Sequence, residues 1–122
     1  VTGFGLLGHL LEICRGAGLH AEIHADKLPL LAAATGFAQQ GIGPGAIGRN
    51  LASFGAEVHF DEQVPDWLRR IMADAQTSGG LLASVAADQV ESVLALFHAQ
   101  GFDAAAVIGQ LQAGPANVHV QP

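Results

Sequence analysis

The chain has 122 residues, 50% of them hydrophobic, so it is long enough for one domain with a buried core and too short for two of ordinary size. Eleven Asp and Glu against five Lys and Arg give a net charge of -6, which argues against nucleic acid or an acidic membrane surface as a partner. The single cysteine, Cys14, excludes an internal disulfide and a cysteine-built zinc site. Because no apolar run approaches the ~20 residues that span a bilayer, we expect a soluble protein without a membrane partner. The single cysteine fits a reducing compartment, so we expect the cytoplasm as its location.

The first two predicted elements are a helix and a strand. Thr2 is a good helix N-cap, and the apolar residues after it recur at helical spacing, which predicts a helix over Gly3–Arg15. Gly16 and Gly18 end that pattern. From residue 19 the period changes to two, which predicts a strand over Leu19–Ala25 with one polar face.

The middle of the chain predicts shorter elements. These are a helix over Leu30–Gln40, a glycine-rich loop over Gly41–Gly48, a short turn from Asn50 to Phe54, a strand over Ala56–Phe60 and a helix that starts at Pro65.

The last part of the chain begins with a polar loop over Asp74–Gly80. A short apolar strand is predicted over Leu81–Val85, and a helix with an inward apolar face then runs from Asp88 towards Gly101. Two further strands are predicted over Ala105–Leu111 and Asn117–Val120.

This order of elements predicts an α+β fold. Polar alternation in the strands favours a mixed, mostly antiparallel sheet packed with helices, partly ferredoxin-like, because a fully parallel sheet buries both of its faces. We take residues 1–122 as a single domain.

Three glycines in the opening segment, Gly3, Gly5 and Gly8, match the spacing G-x-G-x-x-G. We judge a dinucleotide-binding role coincidental, because the strand that follows has a polar face and the motif requires a buried parallel strand. Glycine in a helix costs roughly 1 kcal/mol relative to alanine, so something must approach this backbone closely. Tight packing of the helix and an anion at its N-terminus are both compatible with the pattern.

Other candidate sites are weaker. His20, Glu22 and His24 share one strand face, and we favour a solvated face over a metal site for them. Three further histidines, His9, His98 and His119, are isolated and interpreted as surface residues. Cys14 falls on the apolar face of the first helix and is predicted to be buried and unreactive, and Ser78 has no histidine base near it in sequence.

Two segments together resemble the C-terminal domain of selenophosphate synthetase (selenide, water dikinase). They are Val1–His9, with the sequence VTGFGLLGH, and Asp74–Leu82, with the sequence DAQTSGGLL. A glycine-rich stretch and Asn50 lie between them, so the resemblance runs over essentially the whole chain. Members of the same superfamily, such as aminoimidazole ribonucleotide synthetase and thiamine monophosphate kinase, share a glycine-rich start but typically lack these two sequence motifs. Ala75 departs from the family, in which proline is common at this position.

The resemblance implies a two-domain parent that uses ATP and magnesium to convert selenide and water to selenophosphate, AMP and phosphate. The catalytic Cys or selenocysteine and most of the ATP site would lie in an N-terminal domain that is absent here, and Cys14 does not match that cysteine. A metal-binding aspartate of the family would directly precede Val1, so no catalytic or metal residue is assigned in this chain. Candidates that line the nucleotide cleft are Thr2, Gly3, Phe4, Gly5, Arg49, Asn50, Thr77 and Ser78.

We therefore expect a fragment that is inactive by itself and holds no cofactor alone. Its expected partner is its own N-terminal domain, within a parent that forms a homodimer. Two alternatives stay open: the C-terminal domain of another ATP-using enzyme of the superfamily, and a domain that serves only packing and assembly.

Overall fold

A four-stranded sheet covered on one face by a long helix forms the centre of the computed structural model, which describes residues 1–122. The elements in chain order are α1 Gly5–Ala17, β1 Leu19–His24, α2 Ala32–Gln39, α3 Ala46–Phe54, β2 Val58–Phe60, α4 Asp66–Met72, α5 Val90–Ala99, β3 Gly109–Ala113 and β4 Val118–Gln121. Short 3-10 turns occupy Ala25–Lys27 and Ala87–Gln89. None of the helices combines the length and the apolar character needed to cross a membrane.

The sheet has the strand order β2-β4-β1-β3. β1 pairs with β3 in antiparallel orientation, whereas β1 with β4 and β2 with β4 are parallel. The α+β class and the mixed sheet are confirmed, but the expectation of a mostly antiparallel sheet is wrong. The polar alternation of β1 arises because one face of the sheet is left uncovered, and it carries no information about the direction of the neighbouring strands. β4 lies between β1 and β2 and runs parallel to both.

Helix α1 supplies the largest part of the core. Leu7, Leu10, Leu11 and Cys14 recur at helical spacing on one face and are buried, in one cluster with Ala21 and Ile23 of β1 and Val118 and Val120 of β4. Each fully buried leucine contributes about 1.5–3 kcal/mol. Gly18 ends the helix in the left-handed conformation, with φ 65°. The predicted burial of Cys14 is confirmed, and burial also raises the pKa of its thiol.

The second prediction to be corrected is the loop and turn between residues 41 and 54. The chain there forms helix α3 from Ala46, so Asn50 lies inside a helix and does not cap a turn. Ile47, Asn50 and Phe54 are its buried residues and lie three and four positions apart. That amphipathic spacing outweighs the unfavourable helix propensity of Gly48.

The region after residue 80 also differs from prediction. Leu81–Val85 does not form a strand and pairs with none of the four strands of the sheet. Helix α5 has no fully buried residue; on its predicted inward face Val90, Val93, Leu94 and Phe97 are half-buried, whereas Leu96 is exposed. β3 begins at Gly109 and not at Ala105, since its pairing with β1 ends where Gly109 lies opposite Ile23.

Candidate functional site

The two segments that carry the family resemblance lie side by side. The backbone N–H of Gln76 donates to the Thr2 carbonyl at 3.0 Å, and that of Gly79 donates to the Val1 carbonyl at 3.1 Å. The amino group of Val1 donates to the Gly80 carbonyl at 2.8 Å. These bonds join residues more than seventy positions apart in the sequence. The opening of the chain and the loop at residues 76–80 therefore form one surface, which we call the junction.

Gly5 brings the start of α1 against the end of α4. It has φ 67°, and a Cβ atom at this position would lie 2.7 Å from the Ala73 carbonyl carbon and 2.9 Å from the Asp74 carbonyl oxygen. Only glycine fits this conformation and this approach without strain. The predicted close approach to the glycine backbone is confirmed here, and the segment that approaches is residues 72–74 of the same chain.

Asn50 connects three parts of the chain from a buried position in α3. Its side-chain nitrogen donates to the Gly3 carbonyl at 2.9 Å and to the Ala73 carbonyl at 3.0 Å. Both amide hydrogens are used in this way, and only 7% of the residue is exposed. Asn50 thus holds the backbone on either side of the junction and presents no donor to the surface.

The other predicted cleft residues are exposed. Thr2, Gly3 and Phe4 lie at the open side of α1, and the backbone N–H groups of Gly3 and Phe4 have no backbone acceptor. Thr77 and Ser78 are exposed on the adjoining loop. The structure therefore brings Thr2, Gly3 and Phe4 together with Thr77 and Ser78. Arg49 is exposed on α3, where it forms no ion pair.

Thr2 does not act as the predicted N-cap. Helix α1 begins at Gly5 without a side-chain cap, and the Thr2 hydroxyl instead lies 3.1 Å from Nε2 of His9. On the other side of the ring, His9 Nδ1 lies 3.0 Å from Oε2 of Glu12. His9, interpreted from the sequence as an isolated surface residue, is thus the middle of a three-residue chain of hydrogen bonds. The signal that could have found it is the spacing of His9 and Glu12, which puts them on one helix face.

Asp74 is a second residue that the sequence analysis did not single out for chemistry. Its Oδ1 atom is buried and has no hydrogen-bond partner, and desolvation raises the pKa of the carboxyl group. It follows directly after Ala73, whose carbonyl accepts from Asn50. An unpartnered carboxylate oxygen beside the junction is costly for the fold, and such groups cluster at functional sites.

The junction borders an open cavity of about 410 Å³. It is lined by Val1, His9, Glu12, Ile13, Leu81 and Leu82. Its walls are thus apolar apart from the His9 imidazole, the Glu12 carboxylate and the amino group of Val1.

The chain matches one family model over residues 1–121, that of the AIR synthase related protein, C-terminal domain. The chain belongs to this family. The chain is similar to proteins named selenide, water dikinase from Burkholderia ambifaria, 49% identical, Burkholderia orbicola, 50% identical, and Pseudomonas straminea, 50% identical, each over 120 residues. The match covers 98% of this chain in each case. The resemblance inferred from the two junction segments is confirmed.

The chain spans 34% of the length of these relatives. It corresponds to their C-terminal part, as the name of the family states. The two segments of the junction are therefore features of a family domain that belongs to longer proteins.

The strand face suggested as a possible metal site is occupied by contacts within the sheet. Glu22 accepts hydrogen bonds from the side chains of Gln110, at 3.1 Å, and Gln112, at 2.8 Å, while His20 bonds to the side chain of Asn117. No three His, Cys, Asp or Glu side chains come together anywhere in the chain as a group that could hold a metal ion.

Proposed function

We propose that this chain is the C-terminal domain of an ATP-dependent selenophosphate synthetase. The full-length protein would convert selenide, ATP and water to selenophosphate, AMP and phosphate. Relatives named selenide, water dikinase, 44 to 50% identical over 98% of this chain, support this proposal. The chain alone would be inactive, since it would lack the domain that carries the catalytic cysteine or selenocysteine.

The observation that carries a role in nucleotide binding is the junction. It places the hydroxyls of Thr2, Thr77 and Ser78 and the unpaired N–H groups of Gly3 and Phe4 on one exposed surface. The first turn of α1 has no acidic residue that would repel an anion. Hydroxyls and backbone N–H groups at a helix start are donors suited to phosphate oxygens.

The residues of this chain fit the phosphates of ATP better than they fit magnesium. Mg²⁺ prefers several oxygen ligands, and the junction offers one unpartnered carboxylate oxygen, that of Asp74. We therefore propose that the ligands of the metal lie mostly outside this chain; the family resemblance implies that an aspartate directly before Val1 is one of them. When bound, the metal would neutralise phosphate charge.

The proposal includes a partner and a location. An N-terminal domain of the same protein would cover the junction and complete the site, which the greater length of the relatives supports. The full-length protein would be a homodimer in the cytoplasm. The unpaired Cys14, which is buried, fits a reducing compartment.

A substitution that removes only the Thr2 hydroxyl tests the proposal. Thr2→Val keeps the shape of the side chain, and in the full-length protein we expect it to weaken ATP binding while the urea midpoint stays within error. Thr35→Val, on α2, is the matched control and should change neither quantity. If Thr2→Val changed stability but not activity per folded molecule, the alternative of a packing domain would be correct.

The fragment supplies a second test. The purified chain should form no AMP from ATP in the presence of selenide. Selenide-dependent formation of AMP by the chain alone would contradict the proposal that the site is completed by another domain.

A further inference from the structure

Thr2, His9 and Glu12 form a continuous chain of hydrogen bonds along the open side of α1. The Thr2 hydroxyl lies 3.1 Å from one ring nitrogen of His9, and the Glu12 carboxylate lies 3.0 Å from the other. His9 and Glu12 are three positions apart on the helix, so the same face carries both. The hydroxyl is at the junction and the carboxylate is one helical turn further along.

The chemistry of the three groups fixes which atoms carry the hydrogens. A carboxylate only accepts hydrogen bonds, so Nδ1 of His9 must carry a hydrogen that it donates to Glu12. In a neutral ring, Nε2 is then an acceptor and the Thr2 hydroxyl must donate to it. The outward side of the Thr2 oxygen then offers only lone pairs, which suit a cation or an N–H group and not a phosphate.

A second proton on the ring reverses the polarity of Thr2. Nε2 then carries a hydrogen that it donates to the Thr2 oxygen, and the hydrogen of the hydroxyl is released towards another acceptor. Only this state lets Thr2 donate to a phosphate oxygen while it keeps its contact with His9. The charge state of His9 therefore determines which kind of ligand the Thr2 hydroxyl can bind.

The surroundings of His9 contain few other charges. On α1 the facing charged group is Glu12, whose carboxylate accepts a hydrogen bond from Nδ1 of the ring. The opening segment contributes the Val1 amino group, which donates to the Gly80 carbonyl and becomes a peptide N–H in a longer chain, and the Phe4 ring lies 5.8 Å from the imidazole. After the junction, Leu81 and Leu82 line the same cavity as His9. A phosphate at Thr2 would thus bring a strong negative charge close to the ring.

We propose that His9 is a positioning residue that takes up a proton when the phosphate chain of a nucleotide binds at the junction. The charged ring turns the Thr2 hydroxyl into a donor to a phosphate oxygen, and Glu12 holds the ring in orientation and offsets its charge. The inference rests on the proposed function in one respect, namely that a nucleotide phosphate binds beside Thr2.

Isothermal titration calorimetry of the full-length protein tests the proposal. The probe is the non-hydrolysable ATP analogue AMP-PNP with magnesium, titrated at neutral pH in two buffers that differ in ionisation enthalpy. The dependence of the heat on the buffer gives the number of protons taken up. We expect net proton uptake by the wild-type protein, and its loss together with about tenfold weaker binding in His9→Gln, which retains a donor near Thr2 but cannot become charged.

Three further variants separate this role from a structural one. Glu12→Gln changes an exposed side chain, keeps an acceptor for the ring and should reduce proton uptake without loss of folding. Thr2→Ser should preserve affinity and uptake. The double variant Thr2→Val with His9→Gln should bind no more weakly than Thr2→Val alone, because both residues act through one hydrogen bond.

The outcomes distinguish this inference from the proposed function. His59→Gln, which alters an exposed histidine of β2, is the matched control and should keep both uptake and affinity. Wild-type binding without proton uptake, or unchanged uptake in His9→Gln, would overturn the role of His9 and leave nucleotide binding intact. Absence of any binding by the wild-type protein would instead refute the proposed function, and this inference with it.

Discussion

Gly5→Ala should disrupt the contact between the start of α1 and the end of α4. The backbone at Gly5 has φ 67°, which costs an L-residue about 1–2 kcal/mol. The new Cβ would lie 2.7 to 2.9 Å from three backbone atoms of residues 72–74, and backbone cannot swing aside as a side chain can. Overpacking of this kind costs about 1–3 kcal/mol, so we expect a total loss of about 2–5 kcal/mol in the free energy of unfolding.

The other two glycines of the opening segment provide graded controls for this prediction. A Cβ at Gly3 would meet nothing within 4 Å, so Gly3→Ala should change stability by less than about 1 kcal/mol. A Cβ at Gly8 would meet the side chains of Phe4 and Phe54. The nearest atom is the Cβ of Phe4, at 2.5 Å, which moves only with its backbone, so Gly8→Ala should also cost stability, but without the added penalty of a positive φ the cost should be intermediate. Urea unfolding measures all three, and equal losses for Gly3→Ala and Gly5→Ala would refute the argument from close approach.

Three further predictions concern polar groups. Asn50→Ala should lower the free energy of unfolding by about 2–4 kcal/mol, because the carbonyls of Gly3 and Ala73 lose their donor. Arg49→Ala, at an exposed position of the same helix, is the control and should leave the urea midpoint unchanged. Burial raises the pKa of Asp74 in the folded state, so its charged form destabilises the fold at neutral pH and Asp74→Asn should raise the free energy of unfolding there. Below the ordinary pKa of aspartate the carboxyl group is protonated in both states, so the gain should vanish. Urea midpoints measured against pH check both expectations. The hydrogen bond from Arg15 lowers the pKa of Glu57, so this pair should stabilise the fold above the ordinary pKa of glutamate. That small contribution should be lost as the pH falls through the lowered pKa, and high salt or Glu57→Gln should remove it at neutral pH.

Local periodicity predicted the elements that bury a whole face. α1 and β1 were recognised because leucines recur every three or four residues in one and apolar residues alternate in the other. Helix α3 was missed because the glycines before and within it obscured a spacing that depends on a buried polar residue, Asn50. An asparagine counts as polar in any such pattern, although here its hydrogen bonds make burial favourable.

What sequence alone could not supply is pairing between distant segments. The apolar run at Leu81–Val85 has the composition of a strand, but a strand also needs a free edge to pair with, and the sequence does not show which edges are free. In the same way β4 inserts between β1 and β2, a placement that no local pattern encodes. The candidate site was predicted in outline only because a family resemblance joined its two segments.

The opening glycines are compatible with both close packing and anion binding, because the two roles use opposite sides of the segment. Gly5 is needed because backbone from residues 72–74 lies against it, and Gly3 offers its carbonyl to Asn50. These contacts engage the inner side of the segment. They leave the N–H groups of Gly3 and Phe4 on its outer side, held in place and without backbone acceptors, beside the Thr2 hydroxyl that contacts His9. Since preorganised donors bind an anion without the entropic cost of ordering them, the packing of the glycines is the physical basis of the proposed phosphate site.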